Sequence, residues 1–212
     1  MTWMSRYEDK KREYQSTLLA GFYYFCEGVV ALTMGTVYRL FGLTRDKVTL
    51  WHAEIYLVST TAILMTLIVL SQFWLPLGWA VVILGVVRIL QILCINLITL
   101  LFEHTPTSGS DAMSIRVRWH FMALAFSIWD MMIIFAFLYQ FFDRVAGILS
   151  QHYPHFLHYL YFSVVTMTTV GYGEVYPVTL LGKMLVSFQV CVSLVFVGFF
   201  VAGVSGRFER HR

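Results

Sequence analysis

Long, nearly uninterrupted runs of apolar residues dominate the chain and are separated by short polar segments. A bilayer core about 30 Å thick is crossed by about 20 helical residues, so each apolar run of that length predicts a membrane-spanning helix. Five runs reach this length: Leu18 to Phe41, His52 to Leu75, Leu77 to Phe102, Trp119 to Phe142, and Val178 to Gly203. A sixth run, from Phe156 to Thr168, is too short to span.

Composition agrees with this pattern. Hydrophobic residues make up 58% of the 212 residues and charged residues 13%, with a mean hydropathy of +0.71, which is too apolar for a soluble domain of this size. The Lys and Arg residues gather at the ends of the apolar runs, where they would meet lipid headgroups. The net charge of +3 therefore indicates a lipid bilayer as partner and no nucleic acid.

Between the short run and the last long run, the chain carries the sequence TVGYG, formed by Thr169, Val170, Gly171, Tyr172 and Gly173. The two glycines have no Cβ and can adopt backbone angles closed to other residues, which lets successive carbonyls point the same way. The threonine hydroxyl adds a further oxygen. Hard oxygen ligands suit an alkali cation rather than a transition metal.

This motif resembles the selectivity filter of the tetrameric potassium-channel superfamily. The resemblance extends over about residues 119–208 and implies an outer helix, a turret, a pore helix, a filter and an inner helix, at residues 119–142, 143–155, 156–168, 169–173 and 178–203. The expected fold is an all-α membrane protein with five transmembrane helices plus a re-entrant pore helix and a selectivity-filter loop.

The resemblance also implies a function. We expect a K⁺-selective channel subunit that joins three further identical subunits in a homotetramer, with K⁺ ions bound in the filter and no other cofactor. The alternative is a regulatory or non-conducting subunit of a heteromeric channel or of a K⁺-uptake system. No enzyme is expected, because the nominal triad of Ser163, His158 and Asp143 lacks a nucleophile-elbow sequence.

Residues around the filter are assigned by the same resemblance. Thr168, Glu174, Tyr161 and Phe162 are expected to support it. The two aromatic residues occupy positions that often hold paired tryptophans, but phenylalanine cannot donate a hydrogen bond. Glu174 stands where aspartate is usual, and its longer side chain can reach a donor nearby. Tyr176 is the expected site for quaternary ammonium blockers at the outer mouth, through cation–π contact.

The inner helix carries the candidate hinge and gate. Ser193 occupies the position of the family's usual hinge glycine, so bending is expected at Gly198 or Gly203 instead, or is slight. Phe196 and Phe199 are candidates for a hydrophobic constriction that closes the pathway by excluding water. Aromatic side chains on a lipid-facing surface are the equally expected alternative.

The N-terminal half divides into a polar arm (1–17), a three-helix membrane region (18–102) and a cytoplasmic linker (103–118). The family's filter lies at the outer face, which places the C-terminus in the cytoplasm of a multi-pass cell-membrane protein, expected in a bacterium or archaeon. Five spans then put the arm outside, against the positive-inside bias. The alternative is that one helix of the usual voltage sensor is missing or differently placed.

One buried charge bears on voltage sensing. Arg88 is the single arginine in the third apolar run, and one charge gives little leverage on a membrane potential, so weak or no voltage sensing is expected. An unpaired charge in lipid is costly, and the candidate partners are Glu27, Glu54 and Asp130. We expect Arg88 to pair with Asp130 or with Glu27.

Three histidines follow the outer helix at a spacing of three residues: His152, His155 and His158. This spacing could place their imidazoles on one face and create a weak zinc site or a response to external protons. The alternative is an ordinary hydrated turret, because Pro154 interrupts helical geometry between the first two histidines.

Overall fold

The computed structural model describes the backbone of residues 21, 23–26, 28, 29, 50–102 and 110–208. Within the long helices, side chains are described for residues 59–98 and 122–198. The chain divides into two units, residues 1–54 with 90–106, and residues 55–89 with 107–212. The TVGYG motif and its surroundings lie in the second unit.

The described residues form five long helices and no strand: α1 (Leu50–Ser71), α2 (Leu75–Phe102), α3 (Ser110–Ala146), α4 (Phe156–Met167) and α5 (Leu180–Phe208). Three segments among them are long and apolar enough to cross a membrane: Leu75–Ile98, Met122–Ala146 and Leu180–Gly198. The predicted all-helical membrane fold is confirmed. Most of the predicted first span, 18–41, and the predicted polar arm, 1–17, lie outside the described residues; the described residues between 21 and 29 are helical.

Both ends of α3 and the start of α5 differ from the sequence prediction for physical reasons. α3 begins at Ser110, inside the predicted linker, because residues 110–118 contain neither proline nor glycine to stop a helix. Its end lies at Ala146, where Gly147 adopts a left-handed φ of 57° and donates its N–H to the Asp143 carbonyl at 2.8 Å. The start of α5 is capped by the Thr179 hydroxyl, which accepts the Gly182 N–H at 3.2 Å.

Small residues allow α2 to approach α3 closely. A Cβ at Gly78 would collide with the Phe141 ring, and one at Gly85 would lie 3.1 Å from the side chain of Ile134. The two glycines are seven residues apart and therefore lie on one face of α2. Close approach through small residues is the usual basis of helix packing in membranes, where lipid removes the hydrophobic driving force.

The core of the second unit lies where α4 packs against α3 and α5. Phe135, Tyr139, Tyr159, Ser163 and Gln189 are completely buried there. Three of these five side chains carry hydroxyl groups and one carries an amide, which is unusual for a membrane core. Their hydrogen bonds therefore determine how α4 is held.

Candidate functional site

The backbone of the predicted filter alternates in handedness. Thr169, Gly171 and Gly173 have φ values of 58°, 58° and 80°, whereas Val170 and Tyr172 have negative φ. In a strand of uniform handedness successive carbonyls point to opposite sides, but alternation of left-handed and right-handed residues turns them to the same side. The expectation that the two glycines adopt backbone angles closed to other residues is confirmed.

Thr169 is the unusual member of this set. It is the one described non-glycine residue with a positive φ. A β-branched residue in the left-handed region is strained, by about 1–3 kcal/mol, and persists only where the surroundings fix it. The conformation of this residue therefore depends on what holds the segment on either side of it.

The C-terminal end of α4 provides that hold on one side. The last four carbonyls of a helix have no partners within the helix. In α4, Val164 accepts the N–H and hydroxyl of Thr168 at 2.9 and 2.7 Å, and Val165 accepts the Val170 N–H at 3.0 Å. The Thr166 carbonyl accepts the Thr169 N–H at 3.1 Å, and the Met167 carbonyl accepts the Ser193 hydroxyl of α5 at 2.5 Å. The Val164 carbonyl thus holds the cap residue Thr168, those of Val165 and Thr166 hold the motif, and that of Met167 holds α5.

One helical turn earlier, a buried polar chain crosses all three helices. The Tyr139 hydroxyl of α3 donates to the Gln189 amide oxygen of α5 at 2.5 Å. The same amide donates to the Ser163 carbonyl and hydroxyl of α4 at 3.0 and 2.9 Å, and the Ser163 hydroxyl donates to the Met132 carbonyl at 2.8 Å. Sequence reasoning missed the roles of Gln189 and Tyr139. The available signal was that Gln189 and Ser193, two polar residues in an apolar run, are four apart and share a helix face.

The residues predicted to support the filter make different contacts: two of them contact each other, one packs against α3, and one caps α4. The Tyr161 hydroxyl lies 3.4 Å from the Glu174 carboxylate, a long hydrogen bond that joins α4 to the residue after the motif. Phe162 packs its ring against that of Tyr139, with ring centroids 4.8 Å apart, and therefore braces α4 against α3. Thr168 caps α4 as described above.

The outer mouth is held by a short antiparallel contact between the predicted turret and the segment after the motif. Leu149 and Pro177 form an isolated bridge. The Ser150 N–H donates to the Tyr176 carbonyl at 2.9 Å, and the Val178 N–H donates to the Ile148 carbonyl at 2.9 Å. The backbone at Tyr176 is therefore fixed, while its side chain is 56% exposed.

A buried carboxylate organises the turret. Asp143 accepts the Leu149 N–H at 3.0 Å, the Tyr159 hydroxyl at 2.8 Å and the His152 ring Nδ1 at 2.8 Å. Burial raises the pKa of Tyr159 to about 12, so its hydroxyl keeps its proton at neutral pH and donates to the carboxylate. Asp143 thereby joins the end of α3, the turret and the first turn of α4. Sequence reasoning did not assign it this role.

The three histidines do not converge. His152 turns toward Asp143, while the His158 ring stacks on Tyr153 with centroids 4.6 Å apart and lies 6.5 Å from the His155 ring. Among the residues whose side chains are described, no three metal-ligating groups come together. The three histidines therefore do not form a zinc site within one chain, because the buried carboxylate holds the first histidine away from the other two.

The candidate hinge and gate residues lie on α5. Helix α5 continues without interruption through Ser193, Gly198 and Gly203. Phe196 is 2% exposed, so its ring packs inside the chain rather than on the open face that a constriction would need. The side chain of Phe199 lies outside those described.

The Arg88 side chain pairs with Asp130 of α3. Its Nη2 lies 3.0 Å from an Asp130 carboxylate oxygen, and the two side chains are 8% and 5% exposed. The other carboxylate oxygen accepts the Thr61 hydroxyl of α1 at 2.8 Å. This is one of the two expected pairs. Glu27 and the side chain of Glu54 lie outside the described residues.

Comparisons with known proteins place these features in a family. A family model described as "Ion channel" matches residues 127–210, which contain most of the membrane-length segment of α3, together with α4, the motif and α5. "Potassium channel K1" of Plasmodium berghei is 50% identical over 42 residues, which are 20% of this chain and 2% of that protein. The search of solved structures gave no significant match.

The chain therefore spans only a small fraction of the curated relative that it matches. The matched family is an ion-channel family and not a family of enzymes. Together with the apolar spans and the TVGYG loop, these matches support the resemblance of residues 127–210 to the ion-channel domains of the potassium-channel superfamily, within a multi-pass membrane protein.

Proposed function

We propose that the chain is a K⁺-selective channel subunit that forms a homotetrameric pore for passive K⁺ flux, with weak or no voltage sensing. The observation that carries this proposal is the alternating backbone handedness of Thr169, Val170, Gly171, Tyr172 and Gly173. Carbonyls turned to one side form a column of oxygen ligands, which can replace the hydration shell of K⁺.

Assembly is supported by the exposure of the same segment. In a single chain, Val170 and Tyr172 are 52% and 67% exposed, so one chain supplies only one wall of the ion path. Four identical chains around an axis would surround an ion with carbonyls on all sides and cover these side chains. The proposed ligands are thus the backbone oxygens of the motif and the Thr169 hydroxyl.

The proposal of weak voltage sensing rests on a comparison of energies. Moving one charge through the whole membrane field yields about 2.3 kcal/mol per 100 mV. Separating a buried ion pair costs about 3–5 kcal/mol. Arg88 is held by Asp130 at 3.0 Å, so ordinary membrane potentials do not move it. A steep dependence of conductance on voltage in reconstituted channels would contradict this part.

The test of K⁺ selectivity uses protein purified and reconstituted in liposomes, with flux measured in K⁺ and in Na⁺. Wild-type protein is expected to pass K⁺ far better than Na⁺. Gly171→Ala should abolish this preference, because alanine is strained at the left-handed φ of 58° and would change the backbone of the motif. Within one chain an added Cβ meets no atom within 4 Å, so the effect comes from the backbone angle and not from a collision. If the Gly171→Ala variant still passes K⁺ far better than Na⁺, selectivity does not depend on this backbone angle and the proposal is contradicted.

Gly147→Ala is the matched control. Gly147 has a φ of 57° and nothing within 4 Å of an added Cβ, so it suffers the same backbone strain outside the filter. It should lose stability but retain selectivity. If wild-type tetramers carry no flux, the alternative of a regulatory or non-conducting subunit is favoured. If the purified protein is not tetrameric, the proposed assembly fails.

A further inference from the structure

Three hydrogen bonds join α4 to α5 at two successive turns and in the same register. Gln189 contacts Ser163 at 2.9 and 3.0 Å, and Ser193 contacts Met167 at 2.5 Å. Both pairs are separated by 26 residues, and within each helix the members are four residues apart. We call these four residues the α4–α5 bridge. Its repeat along the helices distinguishes it from an isolated polar contact.

We propose that Gln189 and Ser193 are positioning residues for ion conduction, which fasten the inner helix to the pore helix and thereby hold the inner end of the filter in its conducting form. Ser193 then acts as an anchor at the position where the family usually has its hinge glycine. This inference rests on the proposed K⁺ channel function.

The connection from the bridge to the filter is short. Met167 is the last residue of α4, and only Thr168 separates it from Thr169, the strained left-handed residue at the start of the motif. The Met167 carbonyl lies in a buried residue, so without the Ser193 hydroxyl it would lose its partner in a place that water reaches poorly. The end of α4 would then rearrange to satisfy it, and the strained residue would relax.

The bridge also limits how α5 can move. Its donors are almost completely buried, at 0% for Gln189 and 1% for Ser193, and Gln189 is held in addition by the Tyr139 hydroxyl of α3. Bending of α5 at Ser193 would break the Met167 bond or carry α4 with it. Movement of the inner helix is therefore transmitted to the filter instead of being absorbed at a flexible joint.

Three substitutions at Ser193 separate the anchor from a hinge. Ser193→Ala and Ser193→Gly both remove the hydroxyl, but only glycine adds backbone freedom. Ser193→Thr keeps the hydroxyl. If Ser193 is an anchor, the alanine and glycine variants should behave alike and reduce K⁺ flux by about tenfold at unchanged protein density, while the threonine variant stays near wild type.

The readouts are K⁺ flux in liposomes and hydrogen exchange of the backbone amides of residues 164–173 in the purified tetramer. Alanine and glycine should speed exchange in this segment, and threonine should not. Cys191→Ala, on an exposed part of the same turn of α5, is the matched control and should change neither readout. Gln189→Met, which keeps the length but removes the amide, should also speed exchange.

Three results would overturn the proposal. The first is that Ser193→Gly raises K⁺ flux while Ser193→Ala leaves it unchanged. The others are that no Ser193 variant alters hydrogen exchange in residues 164–173, or that Cys191→Ala and Ser193→Ala have equal effects. The test also distinguishes this inference from the channel function itself. If wild-type protein passes no K⁺, the proposed function fails, but exchange in residues 164–173 still decides whether the bridge holds this segment.

Discussion

Removing one partner of the Arg88–Asp130 pair should destabilise the protein strongly. The two side chains are 8% and 5% exposed and lie 3.0 Å apart, so either single change removes the facing charge of this pair from a buried site. Breaking a buried pair in this way costs about 3–5 kcal/mol. The Thr61 hydroxyl continues to hydrogen-bond Asp130 after Arg88→Met, which places that variant at the lower end of the range.

The pair is best measured as a double-mutant cycle. We expect Arg88→Met and Asp130→Leu each to lower the free energy of unfolding by about 3 kcal/mol or more, and the double variant to lose less than the sum, because it leaves no buried charge. The assay is reversible unfolding in detergent micelles, followed by circular dichroism. Arg144→Met serves as the control: this arginine hydrogen-bonds Gln72 at an exposed site, and its loss should cost at most about 1 kcal/mol.

Additive losses in the double variant, or single losses no larger than that of the control, would refute the reasoning. The first result would mean that the two charges do not interact energetically. The second would mean that water or lipid headgroups reach Arg88 and screen it. Either result would also remove the energetic argument that a membrane potential cannot move this arginine.

Three further predictions follow from the geometry. Gly78→Ala should destabilise by about 1–3 kcal/mol through collision with the facing aromatic ring of α3, whereas Gly198→Ala, with open space around it, should not; unfolding measurements check both. Tyr176→Val should weaken external tetraethylammonium block by at least about tenfold in current recordings, since each ring contributes about 0.5–1 kcal/mol. Because the pKa of Tyr159 is raised to about 12, its contribution to stability should be complete below pH 10 and lost as pH rises through 12. Tyr159→Phe should lack this alkaline loss in unfolding curves.

The sequence predicted those parts of the fold that depend on local properties. The helices from residue 50 onward follow from apolar length, and the left-handed glycines of the motif follow from the absence of a Cβ. The partner of Arg88 was predicted as one of two, because a charge in an apolar helix needs a counter-charge and few exist. Each of these predictions uses a rule that needs no knowledge of which helix faces which.

The features that the sequence could not predict have the opposite origin. Phe196 was a candidate for a constriction because aromatic residues on α5 look alike in sequence, but the structure turns this one into the core. The histidine spacing gave no sign that a carboxylate nine residues before His152 would capture it. Ser193 was singled out by its distance along the chain from the TVGYG motif. The contact it makes, however, is with the carbonyl of Met167, which lies 26 residues earlier in the chain. Such contacts depend on tertiary packing.

The TVGYG segment illustrates how a local motif depends on distant contacts. Its glycines accept left-handed angles at no steric cost, but Thr169 does not, and its strain of about 1–3 kcal/mol would relax in an isolated peptide. One net hydrogen bond contributes about 0.5–1.5 kcal/mol, so no single contact is enough to hold it securely. The segment before the motif is fixed by the C-terminal end of α4, where the Ser193 hydroxyl binds the Met167 carbonyl. The segment after the motif is fixed by the backbone bridge between Leu149 and Pro177. The motif specifies which atoms can face an ion, and the fastening at both ends makes that arrangement stable.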